Sequence, residues 1–323
     1  MVDKFKLLEL INKLRIPNVI LRYIMMNFLD LVTINNLLLT VKKMNVLDNY
    51  SKDIIVKANK GFIWNCQNGH LIVAKWLYSL GNVNIHAFDE LSFQLACENG
   101  HLTVAQWLYS FNDVNIHINN EQAFKWSCKN GHLTVAQWLY SIGASSGQYI
   151  DIHNDNELAF RWSCRYGHIT VARWLLGLET MYSLDEGMDR FDPSALGRQK
   201  QSNVDIHAHG EYAFEYSCAN GHLIVAKWLY SLGNVNIHAE DELAFRWSCE
   251  NGHLAVAQWL YSLGNVNIHA DDEYAFVLSS KNGHLTVAQW LYSLGGVNIY
   301  ANCRYAFKYC SKNTLDWLNN LTI

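Results

Sequence analysis

Asp241-Glu-Leu-Ala-Phe-Arg-Trp-Ser-Cys-Glu-Asn-Gly-His-Leu-Ala-Val-Ala-Gln-Trp-Leu-Tyr-Ser-Leu-Gly-Asn-Val-Asn-Ile-His-Ala270 is one copy of a pattern that organises most of this 323-residue chain. Its tripeptide Asn251-Gly252-His253 also stands at Asn68-Gly69-His70, Asn99-Gly100-His101, Asn130-Gly131-His132, Asn220-Gly221-His222 and Asn282-Gly283-His284, with a variant at Tyr166-Gly167-His168. The steps between copies are 31, 31, 36, 54, 31 and 31 residues. Self-similarity at such a period marks stacked supersecondary units, each too small to bury its own apolar face.

Within the quoted unit, Leu243, Ala244, Phe245, Trp247 and Cys249 are spaced as on a helix. Asp241 and Glu242 fall at its start, where acidic groups complement the helix dipole. Gly252 suits a helix C-terminus that needs a left-handed residue. Leu254, Val256, Ala257, Leu260 and Leu263 form the stripe of a second helix, ended by Gly264. The tail Asn265-Val266-Asn267-Ile268-His269 is rich in turn formers and leads to the next copy. Isolated helices shorter than roughly 12 to 15 residues are marginal in water, so stacking has to supply the stability.

Composition supports a continuous core and narrows the function. Half of the residues are hydrophobic and 13% are aromatic, while the net charge is only −4. That balance supplies no field for a nucleic acid or a membrane surface. Residues 1–10 carry charges at Asp3, Lys4, Lys6 and Glu9 and no long apolar core, so no secretory leader is expected. The apolar run Val19 to Val41 is broken by Arg22, Asn27, Asp30, Asn35 and Asn36, so a soluble helical segment is expected there rather than a spanning helix. Cys66, Cys97, Cys128, Cys164, Cys218 and Cys249 each precede the signature by two residues, and Ser280 takes that place in the next copy. One thiol per unit at one position reads as a small buried residue in a reducing compartment, not as a disulfide framework. The expectation is an intracellular protein, placed in the host cytoplasm with the nucleus left open.

Gly-His-Leu-x-Val-Ala followed by Trp-Leu-Tyr-Ser-Leu-Gly-Asn-Val-Asn resembles the second helix and following loop of ankyrin repeats, from Ala58 to the C-terminus. The opening Thr-Pro-Leu-His of that family is replaced, for instance by Leu243-Ala244-Phe245-Arg246, and the period is two residues shorter than the ~33 of ankyrin repeats. The missing pair falls between the loop Asn and the first helix, so the ankyrin finger is expected to shrink to a simple turn. Trp-Leu-Tyr repeats of this kind are similar to the ankyrin sets of giant DNA viruses of the mimivirus type. The resemblance implies an all-α, ankyrin-like solenoid of about eight units over residues 57–323, monomeric, without cofactor or catalysis, that binds a protein partner through its first-helix and loop surface.

Residues 1–56 lack the signature and read as an N-terminal helical cap. Pro17, Ile20, Leu21, Ile24, Phe28 and Leu37 also resemble an F-box, although Val19 replaces an acidic residue and Met44 a tryptophan. That resemblance implies docking to the adaptor of a cullin-type ubiquitin ligase. Two insertions break the beat after second helices, one around Ser145 to Tyr149 and a longer one within 177–203. Insertions in repeat proteins map to loops on one face, often the binding face. Over 303–323 the Gly-His turn is absent and the second helix is shortened, which reads as a C-terminal cap.

Chemistry beyond stacking is sparse. Cys and His recur four residues apart, as Cys97 with His101, but without the four-ligand geometry of zinc. The turn histidines are expected to bond carbonyls of the adjacent unit. Trp76, Trp107, Trp138, Trp174, Trp228, Trp259 and Trp290 share one helical position and read as core. No phosphate-binding loop is present, and no unique constellation of catalytic groups stands apart from the copies. What differs between copies is two positions of the first helix. One carries Gln94, Lys125, Arg161, Glu215 and Arg246, the other Glu98, Lys129, Arg165, Glu250 and Lys281. These are the candidate partner-binding residues, with Lys125, Lys129, Arg161 and Arg165 forming a basic cluster suited to an acidic partner.

Overall fold

The structure, a computed structural model, describes residues 51–79, 81, 83–183, 204–299 and 311–321. The F-box-like residues Pro17, Ile20, Leu21, Ile24, Phe28 and Leu37 lie outside the described residues, as does most of the long insertion.

Among the described residues there are fifteen helices and no strand. Seven pairs follow one another: α1 (Ser51–Gln67) with α2 (Leu71–Ser79), α3 (Ala87–Glu98) with α4 (Leu102–Tyr109), α5 (Ile118–Lys129) with α6 (Leu133–Ser146), α7 (Asn154–Arg165) with α8 (Ile169–Ser183), α9 (Ala208–Ala219) with α10 (Leu223–Ser231), α11 (Ala239–Glu250) with α12 (Leu254–Ser262), and α13 (Ala270–Lys281) with α14 (Leu285–Ser293). Helix α15 (Lys312–Leu321) closes the series. The described helices form ankyrin-like helix-turn-helix repeats that stack within two compact units, residues 51–127 with 134–143, and residues 128–133 with the described residues from 144 on.

In each unit the first helices lie against one another. In the former α1 packs on α3; in the latter α7 packs on α9, α9 on α11 and α11 on α13. Their shared face is built from one phenylalanine per repeat and one cysteine, replaced by Ser280 in the repeat of Phe276. Phe62, Phe93 and Phe124 in the former unit, and Phe160, Phe214, Phe245 and Phe276 in the latter, are fully buried. The free thiols of Cys66, Cys97, Cys128, Cys164, Cys218 and Cys249 are buried as well. Burial disfavours the thiolate and pushes Cys66 up to about 12, and the thiols of Cys97, Cys164, Cys218 and Cys249 higher still.

The glycine of the signature does two jobs. Gly221 has φ +77°, closing the first helix in the left-handed region, and a Cβ there would lie 2.6 Å from Nδ1 of His253 in the next repeat. The same packing sets His101 on Gly69 and His222 on Gly167. Each histidine also bonds the backbone at the end of the preceding first helix: His101 at Gln67, His168 at Lys129, His222 at Arg165 and His253 at Ala219. This is the inter-repeat bonding that the sequence suggests for the turn histidines.

Other expectations need correction. The tryptophan ladder is a seam rather than a core: Trp107, Trp138, Trp174, Trp228, Trp259 and Trp290 are half-buried, and only Trp76 is buried. Each ring closes the edge between repeats. Trp138 lies 6.2 Å from Phe93 and 5.8 Å from Tyr109, and Trp290 makes the same pair of contacts with Phe245 and Tyr261. The five extra residues near Ser145 mostly lengthen helix α6, which runs 14 residues to a left-handed cap at Gly147, against nine in α10, α12 and α14. Helix α8 likewise continues into the long insertion as far as Ser183. At the C-terminal end α15 has ten residues, so this helix is not shortened. Trp317 occupies the ladder position there, 6.4 Å from Phe276 and 5.8 Å from Tyr292. Ser311 takes the place of the missing histidine against Gly283.

Candidate functional site

The first helices carry both sets of variable residues, and how each helix begins decides which set is available. Before the right-handed turns of α3, α5, α7, α9, α11 and α13, three consecutive residues are left-handed: Phe88–Glu90, Asn119–Glu121, Asp155–Glu157, His209–Glu211, Glu240–Glu242 and Asp271–Glu273. In α11 the φ values are 49°, 55° and 64°. A left-handed L-residue costs about 1–2 kcal/mol, least for Gly, Asn and Asp, and the middle position is Asp, Asn or Gly in all six copies. Asp241 and Glu242 therefore do not sit in a right-handed first turn as acidic dipole partners.

The third residue of each turn is a buried glutamate that holds the turn in place. Glu242 Oε1 lies 2.8 Å from Nδ1 of His238 and accepts the backbone N–H of Asn267 in the next repeat at 3.1 Å. Glu211 and Glu273 do the same with His207 and Asn236, and with His269 and Asn298. His86–Glu90, His117–Glu121 and His153–Glu157 are paired at 2.6–2.7 Å. In the first repeat Asn59 replaces the glutamate and accepts the N–H of Asn84. The histidine N–H is itself fixed by the Asn or Asp two residues earlier, as Asn236 fixes His238.

In three repeats the residue after the phenylalanine completes this clasp. Arg246 donates from Nε to the Asp241 carbonyl at 2.7 Å and from Nη2 to the Glu240 carbonyl at 2.9 Å, and pairs through Nη1 with Asp271 of the next turn. Arg161 does the same for Asn156 and Asp155, and Gln94 for Asp89. Gln94, Lys125, Arg161, Glu215 and Arg246 are buried, so the structure does not present them on the surface where the sequence reading placed them. The long stems fold back because the left-handed turn leaves carbonyls pointing inward with no helical donor. Burial lowers the Arg161 guanidinium from its ordinary pKa.

The other set faces outward. Lys281 is exposed, and Glu98, Lys129, Arg165 and Glu250 are half-buried. Within the second compact unit two of these cations rest on aromatic rings. The Lys129 ammonium lies 5.4 Å from the ring centres of Trp162 and Tyr166. The Arg165 guanidinium stacks 4.3 Å over Tyr216, lies 5.7 Å from Tyr166 and donates to the Tyr212 hydroxyl at 2.6 Å. Tyr212 and Tyr216 stack at 4.0 Å, and Tyr216 meets Trp247 edge-on at 5.1 Å. Among the described residues neither cation has a carboxylate partner. Arg246 differs, since Asp271 pairs with it, and Glu250 is held by the Tyr274 hydroxyl at 2.8 Å. The face is thus a shelf of half-exposed rings carrying two uncompensated cations. Among the described residues no group of three or more metal-ligating side chains comes together, and no helix is long and apolar enough to cross a membrane.

Residues 62–154 and 93–186 each match a family model described as ankyrin repeats (3 copies). A search of solved structures finds similarity to the human ASB11 ankyrin repeat domain, at 17% identity and a TM-score of 0.47, covering 72% of this chain and 97% of that one. No curated protein matches.

Proposed function

We propose that the chain is a non-catalytic protein-binding module whose first-helix shelf at Lys129, Trp162, Arg165, Tyr166, Tyr212, Tyr216 and Trp247 captures an acidic segment of a partner. Ankyrin repeats are in general protein-interaction modules, which supports the class. The carrying observation is the pair of cations, Lys129 and Arg165, held on aromatic faces with no carboxylate of their own among the described residues. Tryptophan, tyrosine and arginine are the types enriched at binding hot spots, where large side chains fill well-packed, desolvated pockets. Glu250 and Lys281 would set the rim. The F-box-like residues add a second task to this reading, recruitment of a ubiquitin-ligase adaptor, which a pull-down of purified adaptor by the full chain with and without Pro17→Ala and Leu21→Ala decides.

The test of the shelf is a fluorescence titration with acidic and basic peptides that are otherwise alike. The acidic peptide should bind, and Lys129→Glu with Arg165→Glu should weaken it at least about tenfold, the equivalent of ~1.4 kcal/mol. Unchanged affinity in the double variant, with its helical circular dichroism retained, removes the proposal.

A further inference from the structure

Glu215 occupies the position in α9 that Gln94, Arg161 and Arg246 occupy in their own repeats. Those three donate to carbonyls five or six residues upstream, and Arg246 also reaches Asp271, 25 residues on. In the register of α9 the corresponding acceptors are the carbonyls of Gly210 and His209 and the carboxylate of Glu240. An ionised carboxylate can only accept, so this repeat gathers acceptors without a donor. Glu215 is 5% exposed, and among the described residues its Oε1 has no hydrogen-bond partner.

The cations of the neighbouring elements are committed elsewhere. On α7, Arg161 serves the carbonyls of Asp155 and Asn156, and Arg165 serves Tyr212 and Tyr216. On α10, Lys227 lies over Trp259; on α11, Arg246 serves its own turn and Asp271, and Glu240 faces Glu215. On α9 itself His207 is bonded to Glu211, and His209 meets the Tyr212 ring. Burial first, then the Glu240 and Glu211 carboxylates, push the Glu215 carboxyl up to about 7.

We propose that Glu215 is a proton-operated latch on the left-handed turn at 209–211: protonated, its O–H fills the donor role of Gln94, Arg161 and Arg246, and ionised, it withdraws that donor and repels Glu240. The latch stands independently of whether the neighbouring shelf binds an acidic partner. A group whose folded pKa is raised contributes stability that is complete below its unfolded value of 4.5 and is lost as pH rises through about 7.

Carboxyl carbon NMR of the full chain tests it, with the Glu215 resonance assigned by its disappearance in Glu215→Gln. The expected result is titration near pH 7, with amide protection at 209–211 falling as Glu215 ionises and staying level in Glu215→Gln. Titration near 4.5 overturns the proposal, as does the same pH dependence of protection in both proteins. Should Glu215→Gln fail to fold, Glu215→Arg restores the residue of the sister repeats. It should raise the thermal midpoint above wild type at a pH of about 8, and a lowered midpoint there overturns the latch.

Discussion

The imidazole of His253 occupies the space into which a side chain on Gly221 would grow, with Nδ1 2.6 Å from the position of its Cβ. Gly233 is the natural control, because its φ of +92° is equally left-handed but nothing lies within 4 Å. Gly233→Ala should lose about 1 kcal/mol from backbone strain alone, whereas Gly221→Ala should lose about 2–4 kcal/mol by adding displacement of the histidine. Equal shifts in urea midpoint would show that the glycine is there for its φ and not for the close approach.

Glu242 joins His238 to the backbone of Asn267, so it ties two repeats through one oxygen. Glu242→Ala leaves the Asn267 N–H and the His238 ring without this acceptor, and a loss of about 2–3 kcal/mol is expected in chemical denaturation. Glu242→Gln keeps an acceptor oxygen and should lose less than half of that. A loss under about 0.5 kcal/mol for the alanine variant would mean the clasp is dispensable.

Burial holds the imidazoles of His70, His101, His168, His222 and His253 below their ordinary value of 6.5. A depressed pKa means that the stability these rings give is present above 6.5 and is lost as pH falls through their folded values. His86 has the opposite sign, because its hydrogen bond to Glu90 raises it. Five rings outweigh one, so the urea midpoint should fall as pH is lowered from 6.5. The measurement is best made in Glu215→Gln, where the opposing carboxyl is silent; a midpoint that rises on acidification there contradicts the assignment.

The six buried thiols should resist an uncharged alkylating reagent in the native state and react only after unfolding. Peptide mapping of the modified sites separates them from Cys303 and Cys310, which lie outside the described residues. Rapid native labelling of Cys97 or Cys164 would place the core face elsewhere.

Periodicity made the helices legible. The beat of Asn-Gly-His marks both helix ends, and the Phe and Cys positions mark the shared face because stacking repeats the same environment in every copy. The left-handed turn was harder to see, since Ala239-Glu240-Asp241-Glu242 has the composition of an ordinary acidic helix start. Its signal was nevertheless present: His is followed four residues later by Glu in six copies, from His86–Glu90 to His269–Glu273. That spacing is also a normal helical pair, so only backbone geometry tells the two apart. The same turn explains why Arg161 and Arg246 were read as surface charges, because a long cation usually snorkels outward unless carbonyls lack a donor. Lys129 and Arg165, without such a demand, stay on the outward face. The mixed position after the phenylalanine reads in the sequence as partner-driven variation, whereas in the structure Gln94, Arg161 and Arg246 use it to hold the turn.

The clasp has a hereditary corollary. Its bonds join atoms about one repeat apart: Asn236 to Glu211 and Asn267 to Glu242 across 25 residues, Asn251 to Ala219 and Asn282 to Glu250 across 32. A duplicated segment of one period therefore arrives with an acceptor ready for the copy downstream and a donor ready for the copy upstream. Unequal crossing-over can lengthen or trim such a gene by whole periods and leave every junction complementary, with no compensating mutation required.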